Sequence, residues 1–123
     1  MTRVLVLADD LIWSTRLIDQ VRAAGADGAP IRTLAALNQA LPAADAVVVD
    51  LTARAYDGIV AVRRAADAGR RVLAVGQHDD AALRKRALDA GADKVLAYRK
   101  LFDDGPATIA SWLGLPAPAA ARP

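Results

Sequence analysis

Three aspartates follow two strongly apolar runs of the sequence. Asp9 and Asp10 come just after Val4–Leu7, and Asp50 directly follows Ala46–Val49. If both runs are neighbouring parallel strands, their carboxyl ends open onto one crevice and the carboxylates converge there. Gathered carboxylates repel one another, and a hard cation such as Mg²⁺ relieves this with one or two of them plus water. The alternative is that Asp9 or Asp10 only caps a helix and that Asp50 only starts a turn.

The elements that must position these residues alternate along the chain. The predicted strands are Val4–Leu7, a weak edge strand at Pro30–Arg32, Ala46–Val49, Val72–Val75 and Val95–Ala97. The predicted helices are Ile12–Ala24, one between Thr33 and Pro42, Ile59–Ala68, one capped by Asp79 or Asp80 and stopped by Gly91, and Pro106–Leu113. Near-continuous apolar strands are typical of a sheet covered on both faces. We therefore predict an α/β fold with a doubly wound, five-stranded parallel sheet, flavodoxin-like (β/α)5, in the strand order 2-1-3-4-5.

Length and composition are typical of a single domain. The 123 residues carry a net charge of +2, no cysteine and only 4% aromatic residues. We place the domain at 1–113 and a Pro/Ala-rich tail or linker at 114–123. The absence of cysteine excludes disulfides and thiolate metal sites and suits the cytoplasm, where we expect the protein. No apolar run approaches the roughly 20 residues of a membrane span, and no aromatic residues interleave Arg84–Arg86 as nucleic-acid stacking would require.

Three segments, in order and at the right spacing, give the chain a family resemblance. The run Val4–Asp10 resembles the first strand and acidic turn of a response-regulator receiver domain of the CheY-like family. Asp50–Gly58 matches that family, position for position, from its phosphorylated aspartate to its Asp-Gly pair. Leu88–Asp93 resembles its Gly-Ala-Asp turn. The resemblance extends from about Arg3 to Leu113.

The resemblance implies roles for the aspartates. Asp50 takes the position of the phosphoacceptor, and a carboxylate can act as such a nucleophile. Asp9, Asp50 and the backbone carbonyl of Thr52 take the positions of the direct Mg²⁺ ligands. Ala8 replaces a second acid that binds through water, and Asp10 is a further candidate ligand if the turn is rearranged. We therefore expect a weak or vestigial Mg²⁺ site.

Three other positions depart from the family pattern. Gly76 stands where a Ser or Thr donates to the phosphoryl group, Tyr98 where a Lys neutralises it, and Val95 where an aromatic residue reports it. Losing the hydroxyl and the ammonium would slow phosphoryl transfer by roughly 10² to 10⁴-fold. A register shift of one or two residues would instead let Arg99 or Lys100 supply the charge.

Three hypotheses for function follow, with the first favoured. The chain is a degenerate, pseudo-receiver signalling module, not an enzyme, that acts through phosphorylation-independent protein contacts. Alternatively it is a working phosphorelay receiver that accepts a phosphoryl group on Asp50, or a small flavin- or nucleotide-binding protein on the same architecture. The expected partners are another signalling protein or a histidine kinase, with a homodimer through the last helix and strand region. Trp13 and Trp112 lie on apolar helical stripes, and we expect both to pack in the core.

Overall fold

Five strands alternate with five helices in the computed structural model, which describes residues 1–77 and 79–118. The strands are β1 (Arg3–Leu7), β2 (Asp27–Ile31), β3 (Ala46–Asp50), β4 (Arg71–Gly76) and β5 (Lys94–Ala97). The helices are α1 (Leu11–Ala23), α2 (Leu34–Ala40), α3 (Gly58–Asp67), α4 (Ala81–Asp89) and α5 (Tyr98–Leu113), with a short 3₁₀ turn at Leu41–Ala43. The last part of the predicted tail, 119–123, lies outside the described residues.

All strand pairs are parallel, and the sheet order is β2-β1-β3-β4-β5. The predicted fold class and strand order are therefore confirmed. The order reverses between β1 and β3, whose register pairs Leu7 with Val49. Because this register aligns the two strand ends, the residues that follow β1 lie next to Asp50 at the end of β3.

The second strand and the last helix differ in their bounds from the prediction. The edge strand β2 begins at Asp27, three residues before the predicted Pro30, because Gly28 and Ala29 continue the pairing with β1. The last helix begins at Tyr98 instead of Pro106, and it is broken at Asp104, where φ is −152° and ψ is 25°. Proline is tolerated in the first turn of a helix, so Pro106 starts the second part of α5. The prediction found that second part and missed the first.

Two apolar layers cover the sheet, which explains why its strands are continuously apolar. Alternate strand residues such as Leu5 and Val47 pack with α2, α3 and α4. Their neighbours, such as Val6 and Val48, pack with α1 and α5. Trp112 belongs to this second layer and is 4% exposed, as expected. No helix in the described part of the chain is both long and apolar enough to cross a membrane.

Candidate functional site

A pocket of about 380 Å³ lies at the carboxyl ends of β1 and β3. Its lining residues are Asp9, Asp10, Trp13, Asp50, Thr52 and Arg54. The four positions expected to form the site are therefore adjacent, as the strand order requires. The prediction that Trp13 packs in the core is wrong, because Trp13 is only partly buried and lines this pocket.

Asp9 and Asp10 both have structural partners. The Asp10 carboxylate caps α1 by accepting a hydrogen bond from the Trp13 N–H at 3.0 Å, which satisfies one of the free amides of the first turn. The Asp9 carboxylate accepts from the backbone N–H groups of Arg54 and Ala55 at 2.9 and 3.1 Å. These two bonds lower the pKa of Asp9. Asp9 therefore stays ionised and ties the loop after β3 to the end of β1.

Asp50 is buried, with 2% of its surface exposed, and the contacts of its side chain converge on one oxygen. Oδ1 accepts from the Thr52 N–H at 3.0 Å and from the Thr52 hydroxyl at 2.8 Å, so Asp50 does start a turn. The Tyr98 hydroxyl donates to the same oxygen at 2.5 Å. A buried carboxylate is costly unless it is hydrogen-bonded, and these neutral donors meet that requirement.

Tyr98 is held in this position from both ends of its side chain. Its hydroxyl also lies 2.6 Å from the Thr52 hydroxyl, and its ring stacks on Trp13 with 4.1 Å between ring centroids. Burial first, and then the hydrogen bond to Asp50, raise the pKa of Tyr98 well above its ordinary value. The phenol is therefore neutral over the physiological range and acts as a hydrogen-bond donor to Asp50.

Tyr56 is a site residue that the sequence reasoning missed. Its buried hydroxyl lies 2.9 Å from the Leu7 carbonyl and 2.8 Å from the Asp50 carbonyl, so one proton is shared between the ends of β1 and β3. Burial, followed by the charge of Asp50, raises the pKa of Tyr56. The only available signal was an aromatic residue inside a polar loop, which does not reveal where its hydroxyl points.

The groups expected to be missing from the site are not replaced by neighbours. Gly76 ends β4 and offers no side-chain donor. A Cβ added there would lie 3.6 Å from Leu51 Cδ1, so the position has room for a small side chain. Lys100 forms an ion pair with Asp104 at 3.3 Å, on its own helix. Arg99 lines a different pocket, with Gln77 and Phe102. Neither cation takes the place of the absent lysine in this arrangement.

The carboxylates of the pocket are the candidate ligands for a metal ion. In the described ranges, no three Asp, Glu, His or Cys side chains are grouped to hold one. Asp9 Oδ2 and Asp50 Oδ1 are already occupied by backbone and hydroxyl donors. Asp10 is committed to the helix cap. The remaining carboxylate oxygens can meet the small oxygen requirement of Mg²⁺, so the residues fit a weak site only.

Comparison with known proteins places the architecture within one class. No protein-family model matches the chain, and no curated protein matches it in sequence. Solved structures that resemble it include receiver domains. A receiver protein from Burkholderia phymatum is 26% identical, with a TM-score of 0.78 over 96% of this chain and 99% of that one. A receiver domain from Clostridium thermocellum is 16% identical, with a TM-score of 0.78 over 93% and 95%.

A third structure carries the chemistry that the resemblance implies. A response regulator from Burkholderia pseudomallei, with a phosphorylated aspartic acid, a calcium ion and citrate, is 21% identical. Its TM-score is 0.71 over 93% of this chain and 71% of that one. At such identities the likeness concerns the fold. The chain therefore has the CheY-like, flavodoxin-like fold. More narrowly, it has the receiver-domain fold of two-component response regulators.

Proposed function

We propose that the chain is a degenerate receiver, a signalling module that acts through protein contacts without phosphorylation. The observation that carries the proposal is the Tyr98 hydroxyl bound to Asp50 Oδ1 at 2.5 Å. A receiver that accepts phosphate needs a nucleophilic carboxylate and a cation beside it that neutralises the incoming group. Here a neutral phenol stands at the position of the cation.

The contacts at Asp50 oppose nucleophilic attack. Hydrogen bonds from Thr52 and Tyr98 converge on Oδ1 and withdraw charge from it. Among the described residues no donor binds Asp50 Oδ2, so that oxygen can attack without displacing Tyr98, but it belongs to a carboxylate whose charge these donors already stabilise. A hydrogen bond to a charged group contributes roughly 1.5–3 kcal/mol. Weakening such a bond as charge moves from the carboxylate to phosphorus therefore costs about one to two orders of magnitude in rate, in addition to the two missing stabilising groups.

The metal has a secondary place in this proposal. Asp9, Asp50 and the Thr52 carbonyl would hold Mg²⁺ weakly, with Asp10 at the rim of the same pocket. A bound Mg²⁺ ion would supply neutralisation of the carboxylates. The Asp9 contacts to the loop amides use only its Oδ2, so Oδ1 would be the oxygen that binds the ion.

The partners proposed are another signalling protein, a histidine kinase, or a second copy of the chain through α5 and β5. Catalysis and nucleic-acid binding are not part of the proposal. The pocket at the sheet edge is lined by three aspartates, which would repel a phosphate, so a flavin or nucleotide is disfavoured there. A purified protein with the absorbance of a flavin would instead support the flavin-binding hypothesis.

Intact mass measurement after incubation with acetyl phosphate and Mg²⁺ tests the proposal. In the competing phosphorelay, an Asp50 oxygen attacks phosphorus, acetate leaves, and the protein gains one phosphoryl group. Asp50→Asn is the matched control, because it keeps the shape of the side chain and removes the nucleophile. We expect no phosphoryl gain in either protein within the time that an active receiver needs for saturation. A phosphoryl gain in wild type that Asp50→Asn abolishes would establish the phosphorelay instead.

A further inference from the structure

The first part of α5, Tyr98–Asp103, is structurally separate from the rest of that helix. The break at Asp104 interrupts the helical backbone. Beyond it, the second part is anchored in the core by side chains such as Ile109 and Trp112, which are 1% and 4% exposed. In the first part, Leu101 is buried at 3%, whereas Phe102 is 53% exposed. Leu101 and the partly buried Tyr98 are thus the members of the segment that pack against the core.

A close helix contact lies directly beyond the break. A Cβ at Gly105 would collide with Gln20 Oε1 on α1, so only a glycine allows this approach without movement of Gln20. Glycine is the residue that permits such close backbone contact. The chain directly beyond the break is therefore buried against α1, and it is the fixed end about which the segment would turn.

The opposite end of the segment is held by the acidic site. Tyr98 donates to Asp50 and stacks on Trp13, whose ring lies 5.8 Å from that of Phe102. The side chain of Arg16 lies over both Trp13 and Phe102, at 5.7 and 5.4 Å from their ring centroids. The carboxylate of Asp50 is therefore linked, through one hydroxyl and the rings of Tyr98 and Trp13, to the exposed Phe102.

We infer that Tyr98–Asp103 is a hinged segment whose position reports whether Asp50 Oδ1 is available to Tyr98. When a cation or a partner's basic side chain takes that oxygen, Tyr98 loses its acceptor and the segment turns about Asp104. The surface that changes is the one around Phe102 and the neighbouring pocket of about 420 Å³. The movement itself does not depend on the proposed function. Its use as a signal to a partner does rest on that function.

Hydrogen exchange with mass spectrometry, without a phosphodonor, tests the hinge. Tyr98→Phe keeps the stacked ring and removes the hydroxyl. Tyr56→Phe is the matched control, because it removes the other buried phenol hydroxyl, which touches backbone carbonyls and not the carboxylate. In Tyr98→Phe we expect exchange in peptides over 98–104 to speed up by roughly ten- to a hundredfold. Peptides over 107–113 should be unchanged, and Tyr56→Phe should not accelerate the 98–104 peptides selectively.

A double-mutant cycle assigns the effect to the contact itself. Asp50→Ala should accelerate the same peptides as Tyr98→Phe, and the double variant should exchange no faster there than the faster single variant. Additive effects would overturn the inference, as would equal acceleration on both sides of Asp104, or wild-type exchange over 98–104 already as fast as in an unfolded chain. Because phosphorylation is read by intact mass, failure of the hinge and failure of the proposed function are distinguishable.

Discussion

Restoring the two missing groups should convert the site into a phosphoacceptor. The variant is Gly76→Ser with Tyr98→Lys, which supplies the hydroxyl and the ammonium that the family resemblance associates with phosphoryl transfer. The structure has room for the first change, since the nearest atom to a Cβ at position 76 is Leu51 Cδ1, at 3.6 Å. The second change removes the phenol that donates to Asp50 and places a cation at the same strand end.

The magnitude follows from the interactions gained. Two hydrogen bonds to a charged phosphoryl group, each worth roughly 1.5–3 kcal/mol, correspond to about 10² to 10⁴ in rate. The assay is the time course of phosphoryl gain by intact mass, with acetyl phosphate and saturating Mg²⁺. Gly76→Ser with Tyr98→Phe is the matched control, because it removes the phenol hydroxyl without adding charge. It should show a smaller gain than the lysine variant.

Three results would bear on this reasoning. A folded lysine variant that binds Mg²⁺ but reacts less than tenfold faster than wild type would refute it. Equal rates in the lysine and phenylalanine variants would show that removal of the phenol hydroxyl matters and the ammonium does not. Phosphoryl gain that persists after Asp50→Asn is added would place the acceptor elsewhere.

Three further predictions concern stability. Both tyrosines of the chain, Tyr56 and Tyr98, have raised pKa values in the folded state. As the pH rises, the unfolded state therefore loses their protons first, and the free energy of unfolding should fall above about pH 10. Tyrosinate absorbance should then appear only together with unfolding. Because the pKa of Asp9 is lowered, its carboxylate stabilises the fold at pH values above the ordinary pKa of 3.8, and this stabilisation is lost on acidification. In urea titrations, the free energy of unfolding of Asp9→Asn should therefore depend less on acidic pH than that of wild type. Gly91→Ala should destabilise more than Gly69→Ala by about 1–3 kcal/mol in urea, because both glycines have positive φ but only at position 91 does a Cβ meet another, at 2.5 Å.

The fold was predictable because the strands are buried on both faces. Runs such as Val4–Leu7 and Ala46–Val49 have no polar residue to satisfy, so their apolar continuity indicates a covered parallel sheet. The strand order then brings Asp9 and Asp50 to one pocket. The start of α5 was missed because Tyr98–Asp103 carries four polar or charged residues and one exposed Phe. That composition resembles a loop, and the helix there depends on tertiary contacts.

The positions of individual hydroxyl groups were not predictable. Spacing identified Tyr98 as the residue in place of a lysine, but only as a missing charge, not as a donor to Asp50. Trp13 fits an apolar helical stripe, yet that stripe ends at the pocket, where the indole stacks on Tyr98. Both outcomes depend on side-chain directions across the sheet edge, and period and spacing carry no information about these.

The departures from the receiver pattern can be understood as one physical arrangement. Asp50 remains a buried carboxylate with 2% exposure, and such a charge must be compensated by a cation or by hydrogen bonds. Where a lysine and a metal do this, the carboxylate stays reactive, because both can transfer their attraction to an incoming phosphoryl group. Thr52 and Tyr98 compensate the charge with donors aimed at the carboxylate itself. This arrangement favours a stable resting structure over phosphoryl transfer. We therefore expect a signal to act by changing the contact between Tyr98 and Asp50.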